Sequence, residues 1–220
     1  MSARGLFVTF EGGEGSGKST QIARLAARLR AAGIEPLLAR EPGGTPLAEG
    51  VRALLLDPAG SLEPLAEALL MEAARADLVA RMLRPALEQG RVILCDRYDD
   101  STLAYQGAGR GLDPDVLARL NRIATGGLHP GLTLLYDIDP AHGLERRSGS
   151  GRELNRLDRE SRAFHERVRA RFLELARAEP ARFVVLDAAA PEEALERRGW
   201  QALEARLRAA GIPLAGLSKS

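Results

Sequence analysis

Residues Gly12-Gly13-Glu14-Gly15-Ser16-Gly17-Lys18-Ser19-Thr20 carry the GxxxxGK[ST] spacing of a loop that holds phosphates. Glycines let backbone amides close on phosphate oxygens, and the helix that follows turns its positive end toward them. Lys18 is expected on the β and γ phosphates, with the Ser19 hydroxyl on Mg²⁺. The chain has 31 basic residues, of which only Lys18 and Lys219 are lysine. Lysine at position 18 therefore marks a place where a slender point charge fits and a broad guanidinium fork does not. A carboxylate at the end of the apolar run Val92-Ile93-Leu94-Cys95-Asp96 suits Mg²⁺ or its water shell beside such a loop. Without the loop, Asp96 would read as a turn or cap residue.

Three arginine-bearing stretches point to a second anionic ligand: Arg40-Glu41-Pro42-Gly43-Gly44-Thr45, Asp96-Arg97-Tyr98, and the region from Arg146 to Arg156. Converging guanidinium forks suit a phosphoryl group in transfer. A guanine-reading NKxD motif is missing, since Asn121-Arg122-Ile123-Ala124 lacks its lysine and aspartate. Glu14 is a carboxylate inside a phosphate loop, an unfavourable placement unless it has another partner or faces water.

These groups must be positioned by alternating elements. Strand-like runs are expected at Leu6 to Phe10, Pro36 to Arg40, Val92 to Asp96, Leu132 to Asp137 and Phe183 to Leu186. Helical patterns fall between them, around Ser19 to Ala32, Pro46 to Leu56, Glu63 to Glu88, Pro114 to Ala124, Ser161 to Ala178 and Pro191 to Ala209. The alternation predicts a doubly wound α/β sheet with its ligands beyond the carboxyl ends of the strands. Pro85 is expected to kink or end the long segment. Arg146-Arg147-Ser148-Gly149-Ser150-Gly151-Arg152 reads as a mobile surface loop. His129, His142 and His165 lack metal-ligand spacing and are expected at the surface or in caps. With 220 residues, 45% hydrophobic, 28% charged and a net charge of +1, one globular domain is expected, without a broad nucleic-acid-binding surface. One cysteine, Cys95, and no long apolar run point to a cytoplasmic protein that does not span a membrane.

The motifs FEGGEGSGKST, REPGGT, EAARADLV, DRYDDSTLAYQGAGRG and ELNRLDRES, in this order, closely resemble bacterial thymidylate kinases over nearly the whole chain. The resemblance implies a P-loop kinase fold: a five-stranded parallel sheet with helices on both faces and a short lid at about 143–158. It implies transfer of the ATP γ-phosphoryl group to dTMP, giving dTDP and ADP, and a homodimer. By the same resemblance Lys18, Arg97 and the lid arginines Arg147, Arg152 and Arg156 are catalytic. Residues 12–20 bind ATP, Ser19 and Asp96 hold Mg²⁺, and Arg40 and Arg97 grip the dTMP phosphate. Glu14 accepts the sugar 3′-hydroxyl, Tyr105 crowds its 2′ position, and Thr102 faces the pyrimidine edge beside Ser101 and Gln106. Met71 covers the base where the family commonly has phenylalanine, and Arg75, four residues on and on the same face, bonds base O4. Gly15 stands where one subgroup carries arginine, matching the subgroup that takes this charge from the lid.

Other readings stay open on the residues alone. One is a nucleotide kinase with relaxed base choice, since Met71 makes flexible thioether contact without π stacking. Another is an ATP-binding regulatory module; a nucleic-acid-dependent ATPase is disfavoured because no aromatic-rich basic stripe occurs.

Overall fold

The computed structural model describes residues 5–149, 151 and 153–214. Five parallel strands, β1 (Leu6–Glu11), β2 (Leu37–Arg40), β3 (Val92–Asp96), β4 (Leu132–Asp137) and β5 (Phe183–Asp187), form one sheet in the order β2-β3-β1-β4-β5. The helices are α1 (Lys18–Ala31), α2 (Pro46–Leu56), α3 (Pro64–Leu78), α4 (Arg84–Glu88), α5 (Asp99–Thr102), α6 (Pro114–Thr125), α7 (Pro140–Ser148), α8 (Arg162–Ala178) and α9 (Glu192–Ala209). None among the described residues is long and apolar enough to cross a membrane.

The pleat decides which side chain meets which layer. Leu6, Val8 and Phe10 of β1 face α1 and α9, packing with Ile22, Leu25, Leu29, Leu203 and Leu207. Phe7 points the other way, with Ile93 and Cys95, onto Leu78, Val79 and Leu83. Farther along that second face, Leu135 and Phe183 meet Phe164, Val168 and Phe172 of α8. Central β1 and β3 are consequently buried on both faces, whereas edge strand β2 alternates half-buried and exposed residues. The apolar runs of the sequence follow from this two-sided cover.

One expectation is refined and one gives way. The long segment is interrupted just before Pro85, not ended by it: α3 stops at Leu78, and a π-helical turn, Val79–Leu83, leads into α4 with Pro85 in its first turn, where its missing N–H is tolerated. The arginine-rich insertion is not a loop from its start. Asp139 Oδ1 accepts from the amides of Ala141 (3.0 Å) and His142 (3.4 Å), Pro140 opens the first turn, and α7 runs on through Arg146 and Arg147 to Ser148. The cap outweighs the small residues that follow.

Because every strand runs the same way, Glu11, Arg40 and Asp96 all end at one edge of the sheet, where β1 lies between β3 and β4. Chain connections from β1 and β3 diverge there, leaving a crevice. Leu29→Ala, which removes a fully buried side chain between α1 and the sheet, is expected to destabilise the fold by about 2–5 kcal/mol in urea unfolding.

Candidate active site

From Glu11 the chain turns through residues 12–17 into α1 at Lys18. No side chain caps this helix and no acid sits in its first turn, so its leading amides are left for an anion. Lys18 Nζ donates to the carbonyls of Gly12 (3.0 Å) and Gly13 (2.8 Å) and to Ser16 Oγ (3.2 Å). Burial, helped by the neighbouring Arg97 charge, lowers the Lys18 ammonium to a pKa of about 8.

Arg97 follows β3 with φ at 67°, a left-handed conformation that costs a non-glycine residue of order 1–3 kcal/mol. The end of β1 holds it there. The Arg97 amide donates to Phe10 O (3.0 Å), and the next amide, of Tyr98, donates to Glu11 Oε1 (2.8 Å). Ser101 Oγ donates to Glu11 Oε2 (2.6 Å), so one buried carboxylate grips the turn on both sides. Burial and the charge of Asp100 raise the Glu11 pKa to about 8.

Thus presented, Arg97 reaches the phosphate loop. Nη1 donates to Gly12 O (3.0 Å) and Ser101 Oγ (3.3 Å), and Nη2 donates to Glu14 Oε1 (2.7 Å). The Tyr105 hydroxyl donates to the same Glu14 oxygen (2.9 Å), while its ring lies 4.8 Å from the Arg97 guanidinium carbon. Burial opposes the Glu14 charge, but Arg97, Lys18 and Tyr105 outweigh it and bring the pKa down to about 2. The partner demanded by a carboxylate in this loop is therefore an arginine from the neighbouring strand.

A cleft of about 520 Å³ opens above, lined by Glu14 through Thr20, Arg40, Met71, Asp96, Arg97, Ser101, Tyr105, Gln106, Arg147 and Arg156. Gly12 and Gly13 lie behind that lining, with their carbonyls on Lys18. Arg40 sits at the rim, paired with Glu49 (2.8 Å).

Arg75 and Thr102 are absent from the lining, contrary to the expectation that they face a base directly. Arg75 is fully buried; its Nε donates to Glu41 (2.8 Å), Nη1 to Glu72, Thr102 (2.9 Å) and Asn121 (2.8 Å), and Nη2 to Tyr98 O (3.1 Å). Helical spacing puts Met71 and Arg75 on one face but does not say how deep each goes. Glu41, itself part of the lining, has one oxygen on Arg75 and the other buried without a partner. Burial raises the Glu41 pKa to about 7 even though Arg75 opposes the shift.

The lid arginines are braced by carboxylates. Arg147 makes a two-pronged pair with Asp158 (3.1 and 2.9 Å), and Arg156 pairs with Glu67 (2.6 Å) and donates to Leu55 O (3.2 Å). Arg152 lies outside the described residues. Sequence reasoning missed Arg52 and Glu67 in the lining and Glu11 behind it, and it named Arg146 only as part of an arginine-bearing stretch. The signal for Glu11 was available: an acid closing an otherwise apolar strand, one residue before the glycines. His165, expected at the surface or in a cap, lies buried in the first turn of α8, with Nε2 unpartnered near the loop side of Glu14.

A phosphate loop after the first strand of a parallel sheet, facing an arginine-lined second site under a lid, defines a P-loop nucleoside monophosphate kinase. A family model described as thymidylate kinase matches residues 10–198. The thymidylate kinase of Deinococcus radiodurans is 57% identical over 204 residues, covering 93% of this chain and 98% of its own length. That of Thermomicrobium roseum is 55% identical, covering 88% and 92%. A crystal structure of thymidylate kinase from Ehrlichia chaffeensis superposes with a TM-score of 0.75 at 33% identity, covering 91% of this chain and 99% of that one. The chain belongs to the thymidylate kinase family, and it phosphorylates dTMP to dTDP with ATP as donor.

Phosphate oxygens near Lys18 favour its charged form, so ATP binding should restore the proton that burial loosens. Calorimetric titration with Mg-ATP, in buffers of different ionisation enthalpy, is expected to show net proton uptake at pH 8 that shrinks as the pH is lowered toward 6.5. Lys18→Met should abolish the uptake at pH 8.

Proposed function

We propose that the chain performs this transfer by clamping two polyanions between Lys18, Arg97 and the lid arginines, with no general base. The acceptor is a phosphate monoester whose second pKa is about 6, so near neutral pH it is already an anionic nucleophile. What is required is alignment of the two phosphates and dispersal of the charge that grows on the transferring group. The observation that carries this reading is the Arg97–Glu14–Tyr105 knot, which joins the phosphate loop to the acceptor wall within hydrogen-bond distance. Its geometry suits an arginine shared by donor and acceptor phosphates, with Glu14 and Tyr105 beside the acceptor sugar. Arg40 at the rim supports a grip on the dTMP phosphate, Met71 and Gln106 lie where the base would rest, and Arg75 and Thr102 support that wall from beneath.

Mg²⁺ fits Ser19 and Asp96. Asp96 Oδ1 is buried without a partner, and Oδ2 accepts from Ser19 Oγ at 3.4 Å. One carboxylate and one hydroxyl leave room for the waters and phosphate oxygens that this ion prefers. When bound, it would neutralise charge on the β and γ phosphate oxygens. Residues 1–220 are read as one domain, with the lid at about 143–158, working in dTDP and dTTP biosynthesis in the cytoplasm. The buried free thiol of Cys95 suits that reducing compartment.

A homodimer is supported by four exposed leucines on adjoining helices. Leu47 and Leu54 are seven residues apart on α2, and Leu65 and Leu69 are four apart on α3, each pair sharing a face. Leu54→Glu with Leu65→Glu is expected to shift light-scattering mass from dimer to monomer; an unchanged mass removes this surface as the interface.

Arg97→Ala is expected to lower kcat by about 10²–10³-fold and to raise KM for dTMP, measured with dTMP, dUMP, dCMP and dGMP as acceptors. A loss confined to ATP affinity contradicts the shared position of Arg97. Faster turnover of any rival acceptor by the unaltered protein contradicts the base assignment.

A further inference from the structure

The tip of the phosphate loop and α7 meet through two glycines. Gly15 has φ at +66°, and a Cβ built there would collide with the carbonyl oxygen of Gly143, lying 2.8 Å from its carbon and 3.1 Å from its Cα. The clash is reciprocal: a Cβ on Gly143 would strike the Glu14 carbonyl oxygen and lie 3.1 Å from Ile138 Cγ2. These are backbone atoms on both sides, so no rotamer change relieves the overlap. An arginine in the loop at position 15, as another subgroup has, is incompatible with α7 in its observed place.

Gly143 is also the turn of α7 that precedes Arg146 and Arg147. Residues three and four apart share a helix face, so seating Gly143 on the loop directs that face toward it. Arg146 Nη2 lies 3.9 Å from where a Gly17 Cβ would stand, and both arginines line the cleft. The capped N-terminus at Asp139 and the carbonyl of Ala188, which accepts from Arg146 Nη1 (3.1 Å), hold the helix at its two ends.

We infer that Gly143 is a positioning residue for phosphoryl transfer: its backbone contact with Gly15 sets the distance between the phosphate loop and the lid arginines carried by α7. This rests on the proposal above that lid arginines act on the transferring group. Adding one methyl group moves α7 outward by about 1 Å, a displacement that typically costs about 10²-fold when reacting groups must be aligned. The helix itself is not weakened, because alanine is a better helix former than glycine.

The test is steady-state kinetics on Gly143→Ala at saturating ATP, with thermal melting and calorimetric dTMP binding on the same protein. His142→Ala, an exposed neighbour on α7, is the control and keeps wild-type kcat. Gly143→Ala is expected to lower kcat by 10- to 100-fold while KM and affinity for dTMP stay within twofold. The inference is overturned by a kcat within threefold of wild type. It is equally overturned by an unfolded protein, or by a kcat loss matched by an equal loss of dTMP affinity, since both mark a purely structural role. Alanine variants of Arg146, Arg147, Arg152 and Arg156 separate the two layers: if none lowers kcat, the proposal about lid arginines fails; if only Arg152 or Arg156 matters, or if Arg146 or Arg147 matters and Gly143→Ala does not lower kcat, only the positioning role fails.

Discussion

Two cations, Lys18 and Arg97, must stand side by side at one spot before any phosphate arrives. Unit charges 4 Å apart repel by about 4 kcal/mol in a partly screened protein site. The fold meets this with stand-ins for phosphate oxygens. Gly12 O accepts from both residues, Gly13 O takes a second proton of Lys18, and the Glu14 carboxylate takes Arg97. Lys18 nonetheless holds its proton loosely, and Glu14 is kept ionised by the same field. On the proposed reading, phosphates entering the cleft would substitute for contacts already aimed at them and leave little reorganisation for the moment of transfer.

The remaining arginines follow a related rule: most are aimed by a carboxylate behind or beside them. Glu11 shapes the Arg97 turn without pairing with its guanidinium, Glu41 and Glu72 hold Arg75, Glu67 holds Arg156, and Asp158 holds Arg147. A buried pair of this kind adds little net stability, but removal of one partner is costly because the other charge is stranded. What these pairs contribute is geometry. Two oxygens of the acids around Arg75, Glu41 Oε1 and Glu72 Oε2, are buried without partners among the described residues.

Much of this was legible along the chain where chemistry is local. The phosphate loop, the acid ending β3 and the arginine after it are short motifs whose roles depend on neighbours in sequence, and all assemble at one edge of the sheet. Strands were legible because burial on both faces leaves continuous apolar runs in β1, β3 and β4. Depth was not. Met71 and Arg75 share a helix face, yet one lines the cleft and the other lies beneath it, because α6 supplies Asn121 and β2 leads to Glu41 to enclose the arginine. Helix α7 was hidden for another reason: the small residues after Ser148 resemble a loop, while the cap at Asp139 that starts the helix lies outside the arginine-rich stretch.

The sequence by itself pointed to a nucleoside triphosphate held after the first strand, because glycine spacing, a lysine set against an arginine background and a following hydroxyl form the pattern of a phosphate cradle. It also determined the family, through motifs whose order covers the chain. Only the tertiary structure decided which charge answers Glu14, how the strained Arg97 is held, and how close the lid helix sits. Those depend on contacts between residues about 80 to 130 positions apart, Glu14 with Arg97, Glu11 with Tyr98 and Gly15 with Gly143, and such distances exist only after β1, β3 and β4 have paired.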